Sequence, residues 1–265
     1  MRQIAFLSGV AQKATEIGYK AIHDTRPLDV QDKNDRDIVT ELDVQIERDI
    51  RAYLAEQTPE IGFLGEEEGE RGSQTGGDWR WILDPIDGTS NFVHGVPLSA
   101  VSLALSDGEA IIVAAIALPF LNLQYGAATG LGAFVNGRKL EASKTSELSK
   151  AMVSIGDYAV GDNAASRNAR RLQVTAKLAE NVERVRMFGS AAVDLVWVAE
   201  GRLDAAVIMA NHPWDTAPGV LIAREAGAVV VDATGAPHTA RSTETIAVNP
   251  NLAQSLLEVI RDSQS

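Results

Sequence analysis

The segment Trp81-Ile82-Leu83-Asp84-Pro85-Ile86-Asp87-Gly88-Thr89-Ser90-Asn91-Phe92 constrains this chain more than any other stretch. Three apolar residues of a short strand run into Asp84-Pro85, where the proline fixes φ and stops the run. Asp87 follows three residues later, on the same side of the tight turn expected there. Gly88 frees the backbone at a point where a side chain would block close approach. Gly88, Thr89 and Ser90 then present amide N–H groups and hydroxyls at a helix start, which suits an anion. Carboxylates beside phosphate-directed donors repel a phosphate unless a cation lies between them, so the pattern makes chemical sense with Mg2+. Taken alone, Asp-Pro and Asp-Gly are common turn pairs, and an isolated D-P-x-D-G is more often a turn than a metal site.

Two further acidic features keep it company. Glu66-Glu67-Glu68 follows Gly65 directly after another short apolar run; acid runs are usually a solvated face, and Glu68 and Glu70 are read that way. Asn211-His212-Pro213-Trp214-Asp215 places a carboxylate at a helix N-terminus, where capping alone is a sufficient reason for it. The net charge of −12 over 265 residues opposes nucleic-acid binding and suits hard cations. The absence of cysteine excludes disulfides, zinc-thiolate sites and a cysteine nucleophile. The longest apolar stretch, Ala110 to Leu121, is too short for a membrane helix, and Ser8, Gln12, Lys13 and Glu16 interrupt any signal-peptide core. The expectation is a cytoplasmic protein with neither a membrane nor a nucleic-acid partner.

Periodicity supplies the organisation. Ile4, Leu7, Ala11, Ala14, Ile17 and Ala21 predict an opening amphipathic helix, and residues 24–37 read as a polar loop. Thr40 is the expected N-cap of a second helix carrying Leu42, Ile46, Ile50 and Leu54 on one face, ended by Thr58-Pro59. Strands are expected at 81–83, 98–105 and 110–118, and Asn136-Gly137 signals a hairpin turn. The remainder alternates: strands near 151–155, 203–209 and 229–231, with helices at 164–180, 190–200 and 215–226, the last with Pro218 in its first turn. Runs of strands followed by alternating elements predict a mixed α/β fold of stacked layers, not one doubly wound sheet. The whole chain reads as one unit with an N-terminal half to about residue 140 and a C-terminal α/β half from 141, the boundary being a sequence estimate.

The segments Gly65-Glu66-Glu67, Trp81 to Phe92, and Trp214-Asp215 with Ala217, Gly219 and Glu225-Ala226-Gly227 resemble the signatures of the inositol monophosphatase family. Asp37-Ile38-Val39-Thr40 with Asp43 resembles its N-terminal segment. The resemblance runs in order over most of the chain, and long motifs in order are not a coincidence of composition. It implies a five-layer αβαβα sandwich, a homodimer, and Mg2+-dependent hydrolysis of small phosphate monoesters with two to three ions per subunit. Carried over by position, Glu66, Asp84 and the Ile86 carbonyl hold one ion, and Asp84, Asp87 and Asp215 a second, with Asp84 bridging. Glu66 also helps to position water and a third ion. Gly88, Thr89 and Ser90 meet the phosphate, while Thr89 with Asp43 orients and deprotonates the attacking water. Glu67 and Lys33 are further candidates, Lys33 within a segment (33–37) that matches the family's mobile flap. His94 and His212 flank the two motifs and are read as structural or supporting, since no histidine nucleophile is needed.

The resemblance also frames the substrate. Gly189-Ser190-Ala191-Ala192 is similar to the segment lining the sugar side of the pocket, with Ala191 expected to touch substrate. In inositol-selective members an acid lies seven residues before the second-motif Asp; here that position is Ile208, which cannot accept a hydroxyl hydrogen bond. Either Asn211 takes that part or the substrate is another ester. The partner expected is a small phosphorylated polyol or amino alcohol: inositol-1-phosphate first, histidinol phosphate second, then fructose 1,6-bisphosphate or adenosine 3′,5′-bisphosphate. A regulatory binding protein with a residual metal site is the alternative from another class.

Overall fold

Leu7, Val10, Ala11, Ala14, Gly18 and Ile22 recur at helical spacing and are all buried, which seats the opening helix on the rest of the chain by one stripe. The computed structural model describes residues 2–25, 30–34, 37–72, 78–108, 110–210 and 212–263, the side chains of 30–39 excepted. The opening helix is α1 (Arg2–Asp24), followed by β1 (Val30–Asn34), β2 (Asp37–Thr40) and α2 (Glu41–Gln57). Next come β3 (Gly62–Gly65), β4 (Gly69–Arg71), β5 (Arg80–Asp87) and the short α3 (Thr89–Val93). A meander continues through β6 (Ala100–Ser106), β7 (Ile111–Leu118), β8 (Leu123–Ala128), β9 (Gly132–Val135) and β10 (Arg138–Lys139). The second half holds β11 (Met152–Ile155), α4 (Ala164–Asn181), β12 (Arg184–Arg186), α5 (Ala191–Ala199), β13 (Ala205–Ile208), α6 (Pro213–Glu225), β14 (Val229–Val231), β15 (Thr245–Val248) and α7 (Ala253–Asp262).

Eight strands form one sheet in the order β10-β9-β8-β7-β6-β5-β3-β4, and five form a second, β12-β11-β13-β15-β14. Strand alternation decides the layering. On β7, Val113 and Ala115 face a core shared with α1 and α2, while Ala114, Ile116 and Leu118 face one shared with α5 and α6. On β13, Ala206 and Ile208 face that middle core, while Ala205 and Val207 face a third core with α4 and α7. The result is the expected five-layer αβαβα sandwich, each sheet buried on both faces. Among the described residues no helix is long and apolar enough to cross a membrane.

Three expectations are corrected. The polar stretch 24–37 is not loop throughout: β1 and β2 pair antiparallel, Gln31 with Val39 and Asp32 with Ile38, because a backbone ladder needs no apolar alternation. Nor does Pro85 stop its strand. β5 runs on to Asp87, and Asp84 pairs with Ser102 while Asp87 pairs with Ala100, so three steps on β5 match two on β6. That is a bulge, a place where a sheet tolerates proline. It also turns Asp84 and Asp87 to the same face, since residues three apart on a regular strand point to opposite ones. Finally, α6 begins two residues early with Pro213 in its first turn, where the missing N–H costs nothing. Pro218 then lies in the second turn and leaves the Trp214 carbonyl without its usual donor.

Candidate active site

Four carboxylates from three elements meet at the C-terminal end of β5. β3 runs parallel to β5 with Gly65 opposite Leu83, and the Glu66 N–H donates to the Leu83 carbonyl at 3.2 Å, so the next residues, Glu66 and Asp84, stand side by side. Their carboxyl groups are in hydrogen-bonding contact. Asp84 is 2 % exposed, and its Oδ1 has no hydrogen-bond partner. Burial raises its carboxyl well above the ordinary range, and Glu66, Asp87 and Asp215 raise it further. Asp87, 8 % exposed, accepts from the Ser190 hydroxyl, from Ala192 N–H at 2.9 Å and from Ala191 N–H at 3.3 Å, which docks it on the first turn of α5. Burial still pushes it up to about 7 against those donors. Asp215 arrives as the third residue of α6, its Oδ2 accepting the His212 N–H at 2.7 Å, and burial pushes it up to about 6.

Beside the cluster, Thr89 Oγ1 lies 3.2 Å from Asp43 Oδ1 and 2.9 Å from the Ile86 carbonyl oxygen. One hydroxyl proton serves either acceptor, not both. Asp43 is itself held by a capping box, its Oδ2 accepting the Thr40 N–H at 2.9 Å and the Thr40 hydroxyl. Burial raises its pKa, opposed by the Thr40 and Thr89 donors. Gly88 occupies the left-handed region at φ 84°, and a Cβ there would come within 2.9 Å of the Leu98 carbonyl oxygen, so only glycine makes this turn.

The loop that carries Glu66 is fixed by a residue the sequence reading missed. Glu47, fully buried on α2, accepts the backbone N–H of both Glu67 and Glu68 at 2.8 Å. A Cβ on Gly65 would fall 2.3 Å from the Glu47 carboxyl carbon, so glycine is what lets that carboxylate in. Glu68 is not simply a solvated acid, as expected, but pairs with Arg48 and Arg51 of α2. Glu70 pairs at the surface with Arg80.

A cavity of about 260 Å3 opens over the cluster, lined by Asp87, Asp215, Ser190 and Ala191, and beyond them by Asp157, Asp194, Ile208 and Met209. Asp157 and Asp194 carried no signal in the sequence reading. A larger cleft of about 680 Å3 between α1 and β8–β9 has no charged side chain in its lining, so size alone does not mark a site. Ser90 is exposed, and its carbonyl accepts from His94 N–H at 3.1 Å and meets His94 Nδ1 at 2.8 Å, a local structural role for that histidine. His212 is the N-cap of α6 and stacks on Trp214 at 4.9 Å. Asn211 and the Lys33 side chain lie outside the described residues.

The donor set suits a hard cation. A buried carboxyl group, Asp84, in contact with the half-buried one of Glu66 calls for a shared proton or a positive charge, and the unpartnered Asp84 oxygen is aligned with that need. Among the described residues no three acids or histidines close on one point as a finished coordination shell, so the fit rests on donor chemistry: carboxylates and a carbonyl, with neither sulfur nor imidazole.

The model of the inositol monophosphatase family matches residues 2–265. The chain is 35 % identical over 262 residues to inositol monophosphatase 1 of Solanum lycopersicum, covering 96 % of this chain and 93 % of that one. It is 36 % identical over 204 residues to the fructose-1,6-bisphosphatase/inositol-1-monophosphatase of Aquifex aeolicus, covering 76 % and 74 %. Among solved structures, the extragenic suppressor protein suhB of Bartonella henselae superposes with a TM-score of 0.90 at 32 % identity, covering 97 % of this chain and 98 % of that one.

Proposed function

The chain belongs to the inositol monophosphatase family of phosphomonoesterases, and from that premise we propose that it hydrolyses myo-inositol-1-phosphate to inositol and inorganic phosphate with Mg2+ as cofactor. The observation that carries the reading is the contact between the Glu66 and Asp84 carboxyl groups beside the unpartnered Asp84 oxygen. Glu66, Asp84, Asp87, Asp215 and the Ile86 carbonyl would hold the ions. Bound there, Mg2+ offsets the charge of the phosphoryl group, acidifies water and stabilises the leaving alkoxide.

This chain's own residues supply the proton path. The Ile86 carbonyl would be among the groups holding an ion, which would leave Asp43 as the acceptor for the Thr89 hydroxyl, 3.2 Å away. Thr89 Oγ1 then takes a proton from the attacking water as its own proton passes to Asp43. Desolvation, which raises the pKa of Asp43, makes that carboxylate a better base than an exposed one. Gly88 and Thr89 receive the phosphate where no side chain obstructs it.

Phosphate release is the test, with inositol-1-phosphate, histidinol phosphate, fructose 1,6-bisphosphate and adenosine 3′,5′-bisphosphate, each with Mg2+ and with a chelator. The expected result is preference for inositol-1-phosphate and loss of activity in chelator. Preference for another ester overturns the substrate and keeps the hydrolysis. Absence of Mg2+-dependent release from all four overturns the enzyme reading in favour of a binding role.

A further inference from the structure

Position 208 faces the pocket with an isoleucine, 4 % exposed, so β13 brings no acceptor to the alcohol side of the site. The strand beside it does. β11 runs parallel to β13 with Ile155 opposite Val207, and the Gly156 N–H extends the ladder to the Val207 carbonyl at 3.0 Å. Gly156 therefore sits against Ile208, with no side chain of its own to fill the space between them. A Cβ there would touch Ile208 at 3.7 Å. The next residue is Asp157, which lines the open side of the same pocket. Desolvation raises the Asp157 pKa above the ordinary carboxylate value, and Arg171 of α4, a buried cation within electrostatic reach, opposes that rise.

A second acid completes this wall. Asp194 of α5 is 1 % exposed, lines the pocket, and has an Oδ1 with no hydrogen-bond partner; burial raises its carboxyl well above the ordinary range. Ile208 and Met209 add aliphatic groups to the lining, and no Lys, Arg or His belongs to it among the described residues. Carboxyl oxygens and aliphatic side chains in one lining suit a molecule that offers both hydroxyl donors and C–H groups. The exposed Asp157 carboxyl and the lack of any basic group in the lining disfavour a second phosphate.

We propose that Asp157 is the specificity-determining acceptor for the hydroxyls of the substrate's alcohol, supplied one strand away from the acid that position 208 lacks, with the unpartnered Asp194 oxygen as a second acceptor. The proposal rests on reading the site as a phosphatase pocket. It makes the ring of a polyol monophosphate, not a bisphosphate, the group this pocket selects.

The test compares two esters that share a ring: inositol-1-phosphate and cyclohexyl phosphate, which has none of the hydroxyls. With the Mg2+-loaded full chain, the wild type is expected to favour the inositol ester in kcat/KM. In Asp157→Asn that preference is expected to fall about 10- to 100-fold, the order for losing a hydrogen bond to a charged acceptor, and to fall mainly through KM. Asp157→Glu should restore part of it. Since both esters meet the same protein, a general loss of stability or metal affinity cancels in the ratio. A ratio unchanged in Asp157→Asn, or a wild type indifferent to the hydroxyls, overturns the proposal while leaving the phosphatase reading intact. Failure of both esters with Mg2+ overturns that reading and this inference with it.

Discussion

Both oxygens of Glu47 are taken by backbone, one by the Glu67 N–H and one by the Glu68 N–H, so its charge is spent on holding a loop. Glu47→Ala should therefore weaken Mg2+ affinity about 10- to 100-fold, the usual cost of losing a group that orients ligands, with activity recovered at high Mg2+. Activity titrated against Mg2+ checks it, and an unchanged midpoint would remove Glu47 from that role. Glu66, Asp84, Asp87, Thr89 and Asp215 were singled out by the family resemblance of their segments, because taken alone the local patterns read as an acid run, a turn and a helix cap. Glu47 was not: it lies on the helical stripe between Ile46 and Ile50, twenty residues from the loop it holds, and no local pattern announces that pairing. The same distance hid the pairing of Glu68 with Arg48 and Arg51.

α5 and α6 cross where Gly219 meets Leu195. A Cβ at Gly219 would stand 2.6 Å from two Leu195 carbons, closer than side chains approach, so the helices are spaced by the missing methyl. Gly219→Ala is expected to destabilise the fold by about 1–3 kcal/mol, overpacking outweighing the ~1 kcal/mol that alanine gains in helix propensity. A urea midpoint lowered at constant slope would show it; a raised midpoint would mean the crossing gives way freely. Elements set by short-range signals were read well. Asn136 and Gly137 adopt φ 47° and 79°, as the hairpin turn between β9 and β10 demands. The bulge at Pro85 was missed because it is a property of β5 against β6, and register between strands is not written in either one alone. The β1–β2 ribbon escaped for a related reason: it is paired through the backbone, and its first strand, Val30–Asn34, is mostly polar in sequence.

Over the whole molecule the layering was legible because each sheet is buried on both faces, and long apolar strands such as β7 are its direct signature. The charge balance has a consequence at this scale. Asp87 and Asp215 titrate near 7 and 6 in the fold against an ordinary 3.8, so without a cation the folded state binds more protons than the unfolded one. Stability of the metal-free protein should then fall as pH rises from about 4 to about 7. Mg2+, which needs the ionised carboxylates, should raise Tm more at pH 8 than at pH 5; thermal melts with and without Mg2+ at the two values check both signs, and an equal shift would contradict them. The docking of Asp87 on Ser190 and the α5 amides joins residues 103 or more apart in sequence. A ribosome that has released the first sheet has already exposed Glu66, Asp84 and Asp87, but neither the amides that hold Asp87 nor the Asp215 that completes the cluster. The acidic centre therefore cannot be complete with the half of the chain that supplies most of it; it needs α5 and α6, made long after the motif strand they close onto.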